Sequence, residues 1–112
     1  MSEPISQPWE VWHARFDFSE GHGYKHRPII VLATRLDGLL VVMVTGVANK
    51  LSLEHDYPIR EWEAAGLDKP SIARLDRIAE IPAGYLGVAG RIGCLTDGDI
   101  NAIKAILTEI TR

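Results

Sequence analysis

The sequence predicts a mainly β domain with some α structure: a small, strongly curved antiparallel barrel with a C-terminal helix packed on it. Two apolar runs of strand length, 29–33 and 39–44, are joined by a turn-like segment that contains Asp37-Gly38, a common hairpin signal. The last segment repeats its apolar residues at helical spacing instead. A chain of 112 residues, 46% of them hydrophobic, is sufficient for one compact core.

The remaining elements follow from local patterns. Alternation over 11–16 predicts a half-buried strand, and 71–78 and 88–92 are predicted as further strands. Residues 61–65 are predicted as a short helical turn that ends at Gly66. The polar, irregular stretch 46–58 is long enough to be predicted as a mobile loop.

The C-terminal segment is the clearest helix. Thr96 is a candidate N-cap, with Asp99 three residues later. The apolar residues that follow form one helical stripe that can pack on a sheet. They are Ile100, Ile103, Ile106, Leu107 and Ile110.

Composition limits the class of protein. We expect a flexible tail at residues 1–8, without the basic start and apolar middle of a signal peptide, and a single domain at 9–112. The longest apolar run is too short to span a membrane, and the only cysteine, Cys94, has no partner for an internal disulfide. A cytoplasmic location is therefore expected. The net charge of -3 argues against a non-specific nucleic-acid binder but not against a local phosphate site.

The stretch from Gly21 to Thr34 contains no acidic residue, although the whole chain is net negative. It begins as a glycine-rich segment with two histidines and basic residues, and Pro28 precedes an apolar strand. We predict a positive loop between two strands, which is a suitable place for an anion such as phosphate. Arg27 either caps a strand or pairs with Glu20, or it binds the phosphate, which its place in an acid-free loop beside Lys25 favours.

Arg74 and Asp76 lie two residues apart in the predicted strand 71–78, so regular alternation puts both on one face with their backbones roughly 7 Å apart. They are either a solvated ion pair or a base and a cation on either side of one phosphate. The cation would keep the neighbouring carboxylate ionised. Thr45, at the end of the run 39–44, either satisfies its own hydroxyl or offers it to a ligand.

The four histidines do not form a metal motif. His22 and His26 are four residues apart, but the glycines between and beside them oppose a helix, and His13 and His55 lie in other segments. No cysteine or carboxylate stands at ligand spacing. We therefore predict no metal site and no cofactor.

The order of these motifs resembles the MazF/PemK (Kid-like) toxins of type II toxin-antitoxin systems. The resemblance rests on Glu10-Val11-Trp12, on Gly21-His22 with Arg27-Pro28 after it, on Thr45, and on Arg74 and Asp76 two residues apart. It continues through 66–71 and 91–99 and covers about residues 10–110.

The resemblance implies an SH3-like barrel, a homodimer, and a sequence-selective endoribonuclease that cleaves single-stranded RNA, here messenger RNA, without metal and so arrests growth. It also implies a cognate antitoxin with an acidic tail. The catalytic set expected from the resemblance and the residues together is Arg27, Thr45, Arg74, Asp76 and His22. Residues expected to contact RNA are Tyr24, Lys25, His26 and Arg77.

The division of roles within this set has alternatives. Asp76 is the expected base and Arg74 the acid or electrostatic partner, but the high pKa of arginine makes it a poor acid, so His22 is an alternative acid. A second function is a non-catalytic binding module of the same fold, either an inactive paralogue or a gyrase-type protein inhibitor. The family's Glu-Gln after the loop glycine is Gly23-Tyr24 here, which keeps this alternative open.

Overall fold

The computed structural model describes residues 6–17, 24–46 and 54–111. Within these ranges, six strands form one sheet and an α-helix follows them. The strands are β1 (Glu10–Asp17), β2 (Tyr24–Arg35), β3 (Gly38–Gly46), β4 (Asp56–Pro58), β5 (Ser71–Ile81) and β6 (Leu86–Cys94), and the helix is α1 (Asp97–Ile110). The spatial order is β4-β5-β3-β2-β1-β6, and every neighbouring pair is antiparallel. The predicted fold class is confirmed, as a bent, open sheet with β4 and β6 at its edges.

Strand β2, which lies largely within the acid-free stretch, begins earlier than predicted. The backbone of residues 24–28 pairs with residues 13–17 of β1, with Arg15 opposite His26 and Ala14 opposite Arg27. Arg27 therefore lies in β2 and not in a loop, which corrects the sequence prediction. The physical reason is that a hairpin ladder satisfies the backbone groups of both strands as far as their pairing can continue.

The two faces of the sheet carry two hydrophobic clusters, because successive strand residues point to opposite sides. Val11, Ile30 and Val42 belong to the first cluster, which also contains Ile103 of α1. The alternating residues belong to the second cluster, against which the 3₁₀ turn Ala83–Tyr85 packs with Ala83 and Tyr85. Its buried members are Trp12, Ala14, Ile29, Val31, Leu39, Val41, Ile81 and Leu86. The helical stripe predicted for α1 packs on the first cluster, as expected.

β-Bulges bend the sheet. The pairing register shifts in β2 between Val31 and Ala33, and the β3–β5 register shifts between Val42 and Met43. The β1–β6 pair is irregular at two further points. Each extra residue increases the local twist, which allows short strands to curve around two small clusters.

The start of α1 is held in a different way from the predicted capping box. Thr96 occupies the N-cap position, but its hydroxyl donates to Oε1 of Glu61 at 2.6 Å and makes no cap bond. Asp99 is 1% exposed, and its carboxylate accepts from the Tyr57 hydroxyl (2.5 Å) and from the backbone N–H groups of Arg60 (3.0 Å) and Glu61 (2.9 Å). Asp99 thus joins α1 to β4 and to the segment after it.

The segment between β4 and β5 contains the predicted helical turn. The amide of Ala65 donates to the carbonyl of Glu61 at 3.1 Å, and Gly66 follows with a φ of 95°. A Cβ on Gly66 would lie 2.4 Å from the carbonyl oxygen of Ile92. Glycine is therefore required here both by the left-handed backbone and by the close passage of β6.

The motif Glu10-Val11-Trp12 has a structural role, because the Glu10 carboxylate accepts hydrogen bonds from three neighbouring groups. Oε1 of Glu10 accepts from the amide of Gln7 (2.7 Å) and from the Trp12 indole (3.1 Å), and Oε2 accepts from Nε of Arg91 (2.7 Å). Burial alone would raise the pKa of Glu10, but these hydrogen bonds and the Arg91 charge lower it below its ordinary value. The motif thus fastens β1 to β6.

Candidate functional site

A cavity of about 410 Å³ lies where three strands meet, and we call it the strand-end cavity. The register explains the meeting point: Gly46 at the end of β3 pairs with Ser71 at the start of β5, and Ile29 pairs with Met43. Continuing the β2–β3 register by two residues brings Arg27 opposite Thr45. The lining residues are His26, Arg27, Pro28, Val44, Thr45, Gly46, Leu67, Asp68, Lys69 and Ser71.

The strand-end cavity carries two permanent cations. Arg27 is half-buried, and Lys69 is exposed with its aliphatic end over Gly46. A Cβ on Gly46 would lie 3.4 Å from Cε and 3.6 Å from Nζ of Lys69, so the ammonium stands beside the end of β3. Asp68 is the acidic residue of the lining. The combination of a guanidinium, an ammonium and the Thr45 hydroxyl is suited to a phosphodiester.

Arg74 does not line this cavity. It lies opposite Met43, two residues from Thr45, which makes Arg74 and Thr45 diagonal neighbours about 7–8 Å apart on one face of the sheet. Its Nη1 donates to Oδ2 of Asp56 at 2.9 Å, and the two side chains are 17% and 1% exposed. This largely buried pair joins β4 to β5. Removing one partner alone would leave a buried charge uncompensated.

Asp76 is held by His55. Its Oδ2 accepts from the backbone N–H of His55, and its Oδ1 is 2.7 Å from Nδ1 of the ring. The hydrogen bond raises the pKa of His55, with the carboxylates of Glu54 and Glu109 adding to the effect. The hydrogen bonds from His55 lower the pKa of Asp76.

The regular alternation predicted along 71–78 is interrupted in β5. Arg74 pairs with Met43, whereas Ile78 pairs with Val42 of the opposite face, so the alternation breaks at the bulge between them. Arg74 and Asp76 both contact the chain at the start of β4. The two residues bind different partners, Asp56 and His55.

The His55–Asp76 pair makes stability depend on pH. A raised imidazole pKa contributes stability below the ordinary value of about 6.5, and this is lost as the pH rises through the folded-state pKa. A lowered carboxyl pKa contributes above its ordinary value and is lost as the pH falls. We expect Asp76→Asn to lower the free energy of unfolding more at about pH 5.5 than at about pH 9. Denaturant unfolding at both pH values measures this.

The matched control for that experiment is Asp97→Asn, because Asp97 is also an exposed aspartate and lies in the first turn of α1. An equal loss of stability at both pH values in Asp76→Asn would show that the charge of the pair contributes nothing.

The other predicted site residues are distributed as follows. His26 lines the strand-end cavity. Tyr24 and Lys25 lie in β2, but their side chains are outside the described part, and so is all of His22. Arg77 is exposed, and its charge contributes to the lowered pKa of Asp76. The structure therefore brings Arg27, Thr45 and His26 to one cavity, with Arg74 next to Thr45 but outside the lining and Asp76 bound to His55.

Sequence reasoning missed two residues. Lys69 enters the cavity because residues 66–71 pass the end of β3, and its only local signal is a cation beside Pro70 before a strand. His55 reaches Asp76 because the three-residue strand β4 pairs with β5 across the predicted loop. So short a strand has no periodic signal of its own.

Residues 6–17, 24–46 and 54–111 hold no group of three or more His, Cys, Asp or Glu side chains placed to bind a metal ion. No helix within the same ranges has the length and apolar character needed to cross a membrane.

The bent sheet, the terminal helix and the strand-end cavity define a small α+β domain with a cavity that carries basic side chains at one end of the sheet. The chain matches the family model of the PemK-like, MazF-like toxin of type II toxin-antitoxin systems over residues 7–111, and it belongs to this family. Among solved structures, the Mycobacterium tuberculosis toxin MazF-mt6 is similar, with a TM-score of 0.67 and 22% sequence identity. That alignment covers 89% of this chain and 94% of MazF-mt6. At this identity the likeness shows the fold. No curated protein sequence is significantly similar to the chain.

Family membership confirms the resemblance stated from the motifs. It also implies an antitoxin partner, since the family consists of toxins of toxin-antitoxin systems.

Proposed function

We propose that this toxin is a metal-independent, sequence-selective endoribonuclease that cleaves single-stranded messenger RNA. The proposal rests on the strand-end cavity, which is lined by Arg27, Lys69 and Thr45. A phosphodiester in this space would meet two positive charges and a hydroxyl. Groups of this kind lower the barrier when they stabilise the charge that develops on phosphorus oxygens in the transition state.

The proposed reaction uses the substrate's own 2'-hydroxyl. The 2'-oxygen bonds to the adjacent phosphorus, the bond from phosphorus to the 5'-oxygen breaks, and a 2',3'-cyclic phosphate and a 5'-hydroxyl result. The 2'-hydroxyl loses its proton to a base, and the leaving 5'-oxygen gains one from an acid. Arg27 stabilises the phosphorane charge with its fixed pair of donors, and Thr45 donates one hydrogen bond.

Proton transfer is assigned to Asp76 as base and to His22 as acid. Asp76 is ionised at neutral pH, because its hydrogen bonds with His55 lower its pKa. Its carboxylate must exchange the His55 contacts for the 2'-hydroxyl before it can act. Arg74, the diagonal neighbour of Thr45, is assigned an electrostatic role, since a guanidinium does not release its proton in this pH range.

The partners follow from the same charge pattern. We propose that RNA contacts extend from the cavity to His26, Tyr24, Lys25 and Arg77, and that unstacked bases lie against these side chains. The cognate antitoxin would place an acidic tail on the same cations, in competition with RNA. A homodimer would join two such surfaces into a longer groove, and the cytoplasm is where the toxin would meet messenger RNA.

Cleavage in the presence of EDTA tests this function. Purified protein is expected to cut single-stranded RNA at defined sequences in excess EDTA and to leave single-stranded DNA of the same sequence intact, because DNA lacks the attacking hydroxyl. Gel analysis of end-labelled substrates measures both. Cleavage that disappears in EDTA and returns with Mg²⁺ or Mn²⁺, or equal cleavage of DNA, would contradict the proposal.

One observation favours a second function, a non-catalytic binding module such as an inactive paralogue or a gyrase-type inhibitor. Arg74 and Asp76 are each bound to a neighbouring side chain, Asp56 and His55, as structural ion pairs are. The EDTA experiment separates the two functions. RNA or protein binding by a correctly folded chain without any cleavage would support the binding module.

A further inference from the structure

A second cavity of about 320 Å³ lies beside the first and is lined by His13, His26, Gly87 and Gly90. Two of its lining residues are histidines of the β1–β2 hairpin, and two are glycines of β6. We call it the glycine slot.

The glycine slot adjoins the strand-end cavity. His26 lines both. A smaller cavity of about 140 Å³ also connects them, because it shares His13 with the slot and Pro28, Leu67 and Asp68 with the strand-end cavity. A nucleotide chain that occupies the strand-end cavity and continues past His26 would reach the slot.

The walls of the slot suit a flat ring. His13 lies opposite Pro28 and Arg15 lies opposite His26, so the two histidines are diagonal neighbours on one face, with backbones about 7–8 Å apart. Gly87 and Gly90 add no side chains to the facing wall. A Cβ on Gly90 would lie 3.0 Å from the carbonyl oxygen of His13, which shows how closely β6 approaches β1 there.

We propose that the glycine slot binds one nucleobase of the RNA, that of a nucleotide next to the cleaved phosphate. An imidazole offers a stacking surface for an unpaired base, and the side-chain-free β6 wall leaves room for the ring. This inference rests on the proposed ribonuclease function, and it identifies the place where part of the sequence preference is read.

A steric block tests the slot. A Cβ on Gly87 would meet no atom within 4 Å, and Gly87 does not have a positive φ, so Gly87→Ala and Gly87→Val are compatible with the fold. Because Gly87 lines the slot, a larger side chain at this position reduces the space for a ring. We expect KM for a short cleavable RNA to rise about tenfold in Gly87→Val, and less in Gly87→Ala, with kcat nearly unchanged, since stacking of one base contributes about that much.

The second experiment uses RNAs in which one nucleotide near the cleaved phosphodiester lacks its base. Removing the base that occupies the slot should weaken cleavage by the wild-type protein about tenfold and have no further effect on Gly87→Val. Gly98→Ala, in α1 and outside both cavities, is the control for adding a methyl group.

The outcomes separate the two proposals. Suppose first that the wild-type protein cleaves RNA. The slot inference is then wrong, and the ribonuclease proposal stands, if Gly87→Val has the same KM and kcat as the wild type on every substrate. The same conclusion follows if the fold-changes caused by Gly87→Val and by the abasic site multiply when both are present. If the wild-type protein binds RNA without cutting it, fluorescence anisotropy of the same variants and RNAs decides the slot inference. If it does not bind RNA, both proposals fail.

Discussion

Replacing Arg27 by alanine is expected to lower the rate of RNA cleavage at least a hundredfold while the protein stays folded. Arg27 is half-buried and lines the strand-end cavity. It lies opposite Thr45 when the β2–β3 pairing is continued two residues beyond Ile29 and Met43. Loss of one well-placed donor to transition-state charge commonly reduces the rate constant by about 10²–10³. Single-turnover cleavage of an end-labelled RNA at saturating protein measures the effect.

The matched control is Arg35→Ala. Arg35 lies at the other end of β2 and is paired with Glu80 at 3.9 Å, where both side chains are more than half exposed. Such a surface pair contributes only about 0–1 kcal/mol to stability, and Arg35 is far along the strand from the cavity. An Arg27→Ala protein that cleaves as fast as Arg35→Ala would remove the strand-end cavity from the mechanism.

Asp99→Ala is expected to lower the free energy of unfolding strongly. The carboxylate is 1% exposed and accepts three hydrogen bonds, from the Tyr57 hydroxyl and two backbone N–H groups. Alanine would leave these three donors without their acceptor, and because the three hydrogen bonds are only partly buried, each donor costs about 1–1.5 kcal/mol, the lower end of the usual range. A total of about 3–5 kcal/mol is a large part of the roughly 5–15 kcal/mol that stabilises a typical domain.

Denaturant unfolding of Asp99→Ala measures this loss, with Asp97→Ala as the control because Asp97 is exposed in the same helical turn. The pKa of Tyr57 provides a second measurement. Burial and the hydrogen bond to Asp99 raise the pKa of Tyr57 to about 12 in the native protein. Without the carboxylate, this pKa should fall toward the ordinary tyrosine value. Equal unfolding free energies for the two variants would show that Asp99 does not hold α1 to β4.

Local patterns predicted most of the fold because the buried positions repeat at the period of each element. The alternation around Val11 and Trp12 and the helical stripe that contains Ile103 both appear in the clusters. Strand ends were less accurate. β2 begins at Tyr24 because it pairs with β1, and pairing of this kind is a property of two segments together.

The candidate site was harder to predict for the same reason. The bulge that puts Arg74 and Ile78 on opposite faces arises from the β3–β5 register, which regular alternation within β5 does not reveal. Asp99 has the spacing of a capping residue, yet its donors come from residues about forty positions earlier in the chain. Motif order did identify Arg27 and Thr45, which the fold brings to one cavity.

The central claim is that this toxin cleaves RNA by attack of the substrate's 2'-hydroxyl at the strand-end cavity. A synthetic RNA that carries one 2'-deoxynucleotide on the 5' side of the mapped cut tests it most directly. We predict that the all-ribose RNA is cut in EDTA to a 2',3'-cyclic phosphate and a 5'-hydroxyl, whereas the singly substituted RNA binds equally well and is not cut at that position. Cleavage of the substituted RNA, or products with a 5'-phosphate, would contradict the account.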